Sequence, residues 1–168
     1  MPHPPAVIRK AKPYVPDCCL KHWPTMPVTV SFVHNRDYSE RRRRIVLEGF
    51  GEWHARDPAV SFVEVPRDAE VTVQFDLNRR SCWTETQYEG SILKSARIWM
   101  GLGDPNNRGR ELADPDARAL SAHEAGHALG VIGHSEDPGD LMFHSISRTE
   151  NETVSDPDLA TLEEAYGE

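Results

Sequence analysis

"HEAGHALGVIGHSEDPGDLMFH", His123–His144, holds four of the chain's eight histidines, with Glu124 set directly after the first of them. On a helix His123 and His127, four residues apart, stand one turn above each other, where two imidazoles can hold one metal ion. Glu124 projects from the same turn. A carboxylate beside water on a zinc ion can take its proton and pass it to a leaving amine. Five residues of this pattern also describe two ordinary surface histidines, so the neighbours decide. Ala125, Gly126 and Ala128 are small, and Gly130 stands where a left-handed residue would end the helix and turn the chain back. Beyond it His134, Glu136, Asp137 and Asp140 are further donor groups, since zinc accepts carboxylate as well as imidazole. The three acids follow Ser135 in a turn and read first as caps and turn formers, which favours His134.

Around this stretch, a chain of 168 residues fits one domain and can bury a real core. Thirteen prolines and eleven glycines predict many turns, and a net charge of -8 argues against nucleic acid or an anionic membrane as partner. The basic cluster Arg41–Arg44 lies in "YSERRRRIVLEGFGEWHARD", where Ile45, Leu47, Phe50 and Trp53 can share a buried stripe. A solvated helix face is therefore favoured there over a binding patch. The proline-rich first twenty residues contain no apolar run of signal-peptide length, and no segment could span a bilayer. By itself the sequence suggests a cytoplasmic protein. Cys18, Cys19 and Cys82 are too few for a disulfide framework; one bridge from Cys82 to the Cys18/Cys19 pair is open in an oxidising compartment, but thiols are favoured.

The elements follow from periodicity. "PVTVSFV" (Pro27–Val33), "AVSFVEV", "EVTVQFDL" and "SARIWMGLG" are rich in β-branched and aromatic residues and predict strands. Tyr38–Asp57 is helical by period, closed by Pro58. "ARALSAHEAGHALG" predicts a second helix, with Asp114 as cap and Pro115 in the first turn. "SDPDLATLEEAYG" predicts a third, capped by Ser155 or Asp156, with Leu159, Leu162 and Tyr166 facing inward. The expected order is strand, helix, three strands, helix, loop, helix.

"HEAGHALG…GHSEDPGDLM" resembles the metzincin clan of zinc endopeptidases, and most of all the matrixins, whose third histidine is followed by serine as Ser135 follows His134. "DPGDLMF" is similar to the matrixin Met-turn, which implies that Met142 lies beneath the zinc site. "KHWPTMPVTVSF", the Arg-rich helix ending in Trp53, "VSFVEV" and "EVTVQF" resemble the opening of a matrixin catalytic domain, and "VSDPDLATLEEAYG" its closing helix. "SCWTETQY" is instead similar to a segment of astacins. The likeness runs from about residue 21 to residue 167. Three departures stand out. No histidine-aspartate loop for a structural zinc is visible between Cys82 and Met100, so one zinc is expected, and "GDPNNRG" lacks the ligand spacing of a calcium loop. His144 replaces a proline two residues after Met142. The metzincin pattern H-E-x-x-H-x-x-G-x-x-H is longer here by one residue. Ser135 and the Met-turn keep their usual offset from His134, so the extra residue sits between Gly130 and His134, where glycines absorb it.

The resemblance implies an α+β metzincin-like fold: a twisted mixed sheet with a backing helix and an active-site helix, and a small lower lobe holding the Met-turn and final helix. Residues 1–20 are expected as an arm and 21–168 as the catalytic domain of a monomer. The implied activity is zinc-dependent peptide hydrolysis, with Glu124 as base, His123, His127 and His134 as ligands, and a polypeptide lying along an edge strand at Ser95–Gly101, against Ile98, Trp99, Met100 and Gly101. The family resemblance suggests secretion. Cys18 or Cys19 could ligate zinc from a pro-segment, but "VPDCCLKH" lacks the matrixin switch sequence. The rival reading is an inactive zinc-stabilised binding module, which would want a fourth protein ligand and no base. His144 is read as a pocket wall, against the alternative of an oxyanion donor where astacins place a tyrosine.

Overall fold

The computed structural model describes residues 10–15, 19–145 and 153–167. Five strands and three helices follow one another as β1 (Val28–Phe32), α1 (Glu40–Arg56), β2 (Phe62–Glu64), β3 (Val71–Phe75), β4 (Trp83–Glu89), β5 (Ile92–Met100), α2 (Asp114–Leu129) and α3 (Asp156–Tyr166). The strands form one sheet in the order β2-β1-β3-β5-β4, parallel except for β4, which runs antiparallel to β5. This is the α+β architecture expected from the sequence.

Two expectations about the sheet are corrected. β4 was not foreseen: "WTETQYE" is polar and only half-buried, because an edge strand needs one face covered and one edge paired, and its apolar pattern is weak. Its presence displaces β5 from the edge. Ile98 pairs with Val73 on one side and Thr84 on the other, so Ile98, Trp99, Met100 and the following Gly101 do not border the cleft as a free edge. Ile98 and Met100 are buried, while Trp99 stacks on Trp83 across the pair at 4.9 Å between ring centroids. At Gly101 an added Cβ would lie 2.1 Å from the Ser81 carbonyl oxygen, so the chain leading into β4 lies tightly against it.

α1 starts one residue after Ser39, whose side chain accepts from the Arg42 amide, and buries Ile45, Val46, Gly49, Phe50 and Trp53. Leu47 falls off that stripe and is half-buried. The arginine cluster faces acids on neighbouring elements: Arg42 makes a two-pronged bond with Glu111, Arg41 pairs with Glu111 and Asp114, and Arg43 with Glu64. α1 crosses α2 at Gly49, where a Cβ would lie 2.6 Å from the Arg118 carbonyl oxygen, and the Trp53 indole donates to the Ala122 carbonyl at 2.7 Å. The N-cap of α2 is Ala113, without a side-chain bond; Asp114 lies in the first turn, ion-paired with Arg41. α3 opens with a reciprocal bond between Ser155 and Asp158. Val15 and Leu20, from the stretch expected as an arm, are buried in the core. Among the described residues no helix is long and apolar enough to cross a membrane.

Candidate active site

α2 carries the first two histidines and Glu124 on the side that faces β4, and it ends where the sequence says it must. Gly130 takes a φ of 115°, and its amide donates to the Gly126 and His127 carbonyls. No side chain fits there, since a Cβ would meet the Lys21 carbonyl oxygen at 1.9 Å. The chain then reverses, and Ser135 donates its amide to the Met142 carbonyl at 2.9 Å. That bond fixes His134 beside the turn that contains Met142.

These constraints bring one donor nitrogen each from His123, His127 and His134 within 4.8 Å of one another, the one such group of three among the described residues. The His123 Nδ1 lies 2.8 Å from the Leu141 carbonyl oxygen and the His127 Nδ1 2.7 Å from that of Val131. A carbonyl can only accept, so both Nδ1 atoms carry the hydrogen and both Nε2 atoms present lone pairs. The two Nε2 atoms are 3.1 Å apart. Two lone pairs at that distance repel unless a cation lies between them, and two nitrogens on one tetrahedral zinc ion are separated by about 3.3 Å. The donor set therefore fits zinc. Burial holds both rings neutral, lowering the pKa of His123 to about 4 and of His127 to about 3, with the neighbouring histidine contributing in each case. His134 is more exposed and shifted the same way, by burial and then by His144.

Glu124 is 3 % exposed, and its Oε2 accepts from the Thr84 hydroxyl of β4 at 2.6 Å. Burial raises its pKa to about 7 against the opposing pull of that bond. Thr84 is the residue that sequence reading missed, because its strand was missed. Met142 is fully buried beneath α2, where its sulfur would lie 2.4 Å from a Cβ at Gly126. Two of the three candidate carboxylates are engaged elsewhere. Asp140 accepts from the Ser135 and Ser155 hydroxyls, and Asp137 accepts the Gly139 amide. His54 bonds the Val60 carbonyl, His34 stacks on Tyr38, and His22 meets Tyr166 edge to face. In the loop after β5, both oxygens of Asp104 accept amides of Asn106 and Asn107. Cys82 is a free thiol that burial pushes above its ordinary pKa, and Cys18 lies outside the described residues.

The site opens into a cavity of about 620 Å³ between β4 and the loop after α2. Trp83, Thr84 and Thr86 line one wall, and Leu120, Ile132 and the exposed His144 line others.

The profile of the family described as Matrixin matches residues 22–167. The chain is 45 % identical over 47 residues to the 72 kDa type IV collagenase of Gallus gallus, covering 28 % of this chain and 7 % of that protein. It is 24 % identical over 161 residues to Metalloendoproteinase 1-MMP of Arabidopsis thaliana, covering 85 % of this chain and 43 % of that protein. The chain thus spans less than half the length of either relative. Two solved structures of myroilysin share the fold: one with a TM-score of 0.62 at 15 % identity over 88 % of this chain and 96 % of that one, the other with 0.63 at 16 % over 95 % and 91 %.

Proposed function

The chain belongs to the matrixin family, a zinc metalloprotease fold with a three-histidine metal cluster, and from that premise we propose that it is an active endopeptidase holding one zinc ion per chain. The observation that carries this reading is the company of the three imidazoles: a buried carboxylate stands beside them, and among the described residues no fourth protein ligand joins them. A purely structural zinc site closes its coordination with a fourth protein ligand, whereas a catalytic one keeps a position open. When bound there, zinc supplies a Lewis acid that polarises water and the scissile carbonyl. His123, His127 and His134 hold the ion, the first two oriented by the carbonyls that their Nδ1 atoms bond. Glu124 takes the proton from the attacking water and returns it to the leaving amine.

Thr84 steers that carboxylate by its hydroxyl and marks where substrate lies. β4 is the edge of the sheet that shares the cavity with Glu124, so an extended polypeptide pairs with Trp83–Glu89 as an added strand, in place of the β5 edge expected from sequence. His144 forms part of the wall of that cleft, its ring tilted against Phe143 at 4.3 Å between centroids.

Metal analysis and cleavage of an unfolded protein substrate, with and without a chelator, test this reading. We expect one zinc per parent chain and cleavage abolished by chelation. Glu124→Ala should keep its zinc and fold but lose cleavage by roughly 10²-fold or more. A parent that binds zinc and cleaves nothing, or a Glu124→Ala variant as active as the parent, would replace the enzyme by a binding module.

A further inference from the structure

Two of the three histidines stand on a helix, but His134 stands on a loop one residue longer than the matrixin pattern, and it is exposed. What braces that loop comes largely from residues before the stretch that the family profile matches. Val15 is buried, and it is the neighbour that a Cβ at Gly133 would meet, at 3.2 Å. Leu20 pairs with Val131, and Lys21 donates its amide to the Gly130 carbonyl at 2.9 Å. Tyr14 reaches the other support of the site. Its hydroxyl donates to Asp158 Oδ1 at 2.6 Å, and its amide donates to Thr161 at 3.2 Å. Asp158 is fully buried and accepts the amides of Leu141 at 2.7 Å and Met142 at 3.2 Å. The Leu141 carbonyl in turn accepts the His123 Nδ1.

We infer that Tyr14 and Val15 are positioning residues of the metal site. Val15 fixes the lengthened loop that presents His134, and Tyr14, through Asp158, fixes the turn whose carbonyl orients His123. This rests on the proposed ligand set and extends it to the N-terminal arm. A ligand on an unbraced loop must lose its conformational freedom when the ion binds, which raises the cost of binding. Partners beyond the ligands change metal affinity by roughly 10- to 100-fold, and Tyr14 acts one link further out.

The full-length chain carrying Tyr14→Phe or Val15→Ala should therefore bind zinc about tenfold more weakly, at the low end of that range, in competition with a chromogenic chelator well below its melting temperature. Val30→Ala, in the buried middle of β1, serves as a control that lowers stability far from the loop and should leave zinc affinity within about twofold of the parent. Excess zinc should restore cleavage to both arm variants and not to Glu124→Ala. Zinc affinity in both arm variants equal to the parent's, with only a lowered melting temperature, would make the arm a merely structural element and overturn the inference. A parent that binds no zinc would instead remove the ligand set on which the inference rests, and that result is read without any variant.

Discussion

At the scale of single residues, burial acts in opposite senses on the base and the metal-binding imidazoles, which gives the metal-free protein a readable pH dependence. His123 and His127 have folded-state pKa values of about 4 and about 3, below the ordinary 6.5, so the unfolded chain binds more protons and stability falls as pH drops below about 6.5. Glu124, raised from 4.5 to about 7, works the other way: its contribution is full below about 4.5 and is lost as pH rises through 7. Between about pH 4.5 and 6.5 these two imidazoles favour higher pH, His134 is lowered in the same direction beside them, and Glu124 opposes them. As pH falls through that window, denaturant unfolding of the zinc-free parent should show a loss of at least roughly 1.4 kcal/mol per pH unit. Glu124→Gln should steepen that slope by roughly a further 1.4 kcal/mol per unit. An unchanged slope would mean that the carboxyl titrates alike in folded and unfolded chains. The helical histidines and Glu124 were legible from their spacing together with the small residues and Gly130 around them, because an i, i+4 pair needs only a helix to converge. The Thr84 hydroxyl on Glu124 was not, since it depends on a strand that carries no strong pattern.

At the scale of elements, two glycines in helices show how packing reverses intrinsic propensity. Alanine is better than glycine inside a helix by about 0.8–1.0 kcal/mol. At Gly51 in α1 an added Cβ meets nothing within 4 Å, so Gly51→Ala should stabilise by roughly that amount. At Gly126 in α2 the same methyl would lie 2.4 Å from the Met142 sulfur and 2.6 Å from Trp53 Cζ2. Trp53 cannot withdraw without breaking its bond to the Ala122 carbonyl. Overpacking of about 1–3 kcal/mol then exceeds the propensity gain, and Gly126→Ala should melt several degrees below the parent while Gly51→Ala melts above it, at about 2–4 °C per kcal/mol for a chain of this size. Gly126→Ala melting at or above the parent would show that Met142 yields freely. The same contrast explains which elements the sequence disclosed. α1 and α3 bury periodic faces, α2 is a run of small buried residues, and β1 and β3 set a buried valine or phenylalanine at every second position. β4 alternates threonines with glutamate and glutamine, and only its partner β5 makes a strand of it.

At the scale of the molecule, the expected lower lobe and arm are held by one carboxylate that no local pattern marks. Asp158 reads in the sequence as an ordinary first-turn acid, and its bonds to Ser155 fulfil that role. Yet it is 0 % exposed, because the chain also delivers Tyr14 from the N-terminus and the amides of Leu141 and Met142 from the turn under the metal site. Such convergence over 144 residues of separation is a property of the folded topology and leaves no trace in spacing. A carboxylate without donors would be costly at this depth; with these donors it is the acceptor on which three segments agree. Asp158→Asn keeps the shape but exchanges one acceptor oxygen for an NH₂ group that faces incoming donors. At about 1–3 kcal/mol for each buried donor left without a partner, the variant should lose roughly 3 kcal/mol and melt about 6–12 °C lower. Because the turn that orients His123 hangs on the same carboxylate, zinc affinity should fall together with stability, and further than in Tyr14→Phe, which removes only one of the donors. Thermal melting and chelator competition on the same samples check both losses. A variant that melts lower but holds zinc as the parent does would separate the turn from the metal site and leave Asp158 as a cap of α3 alone.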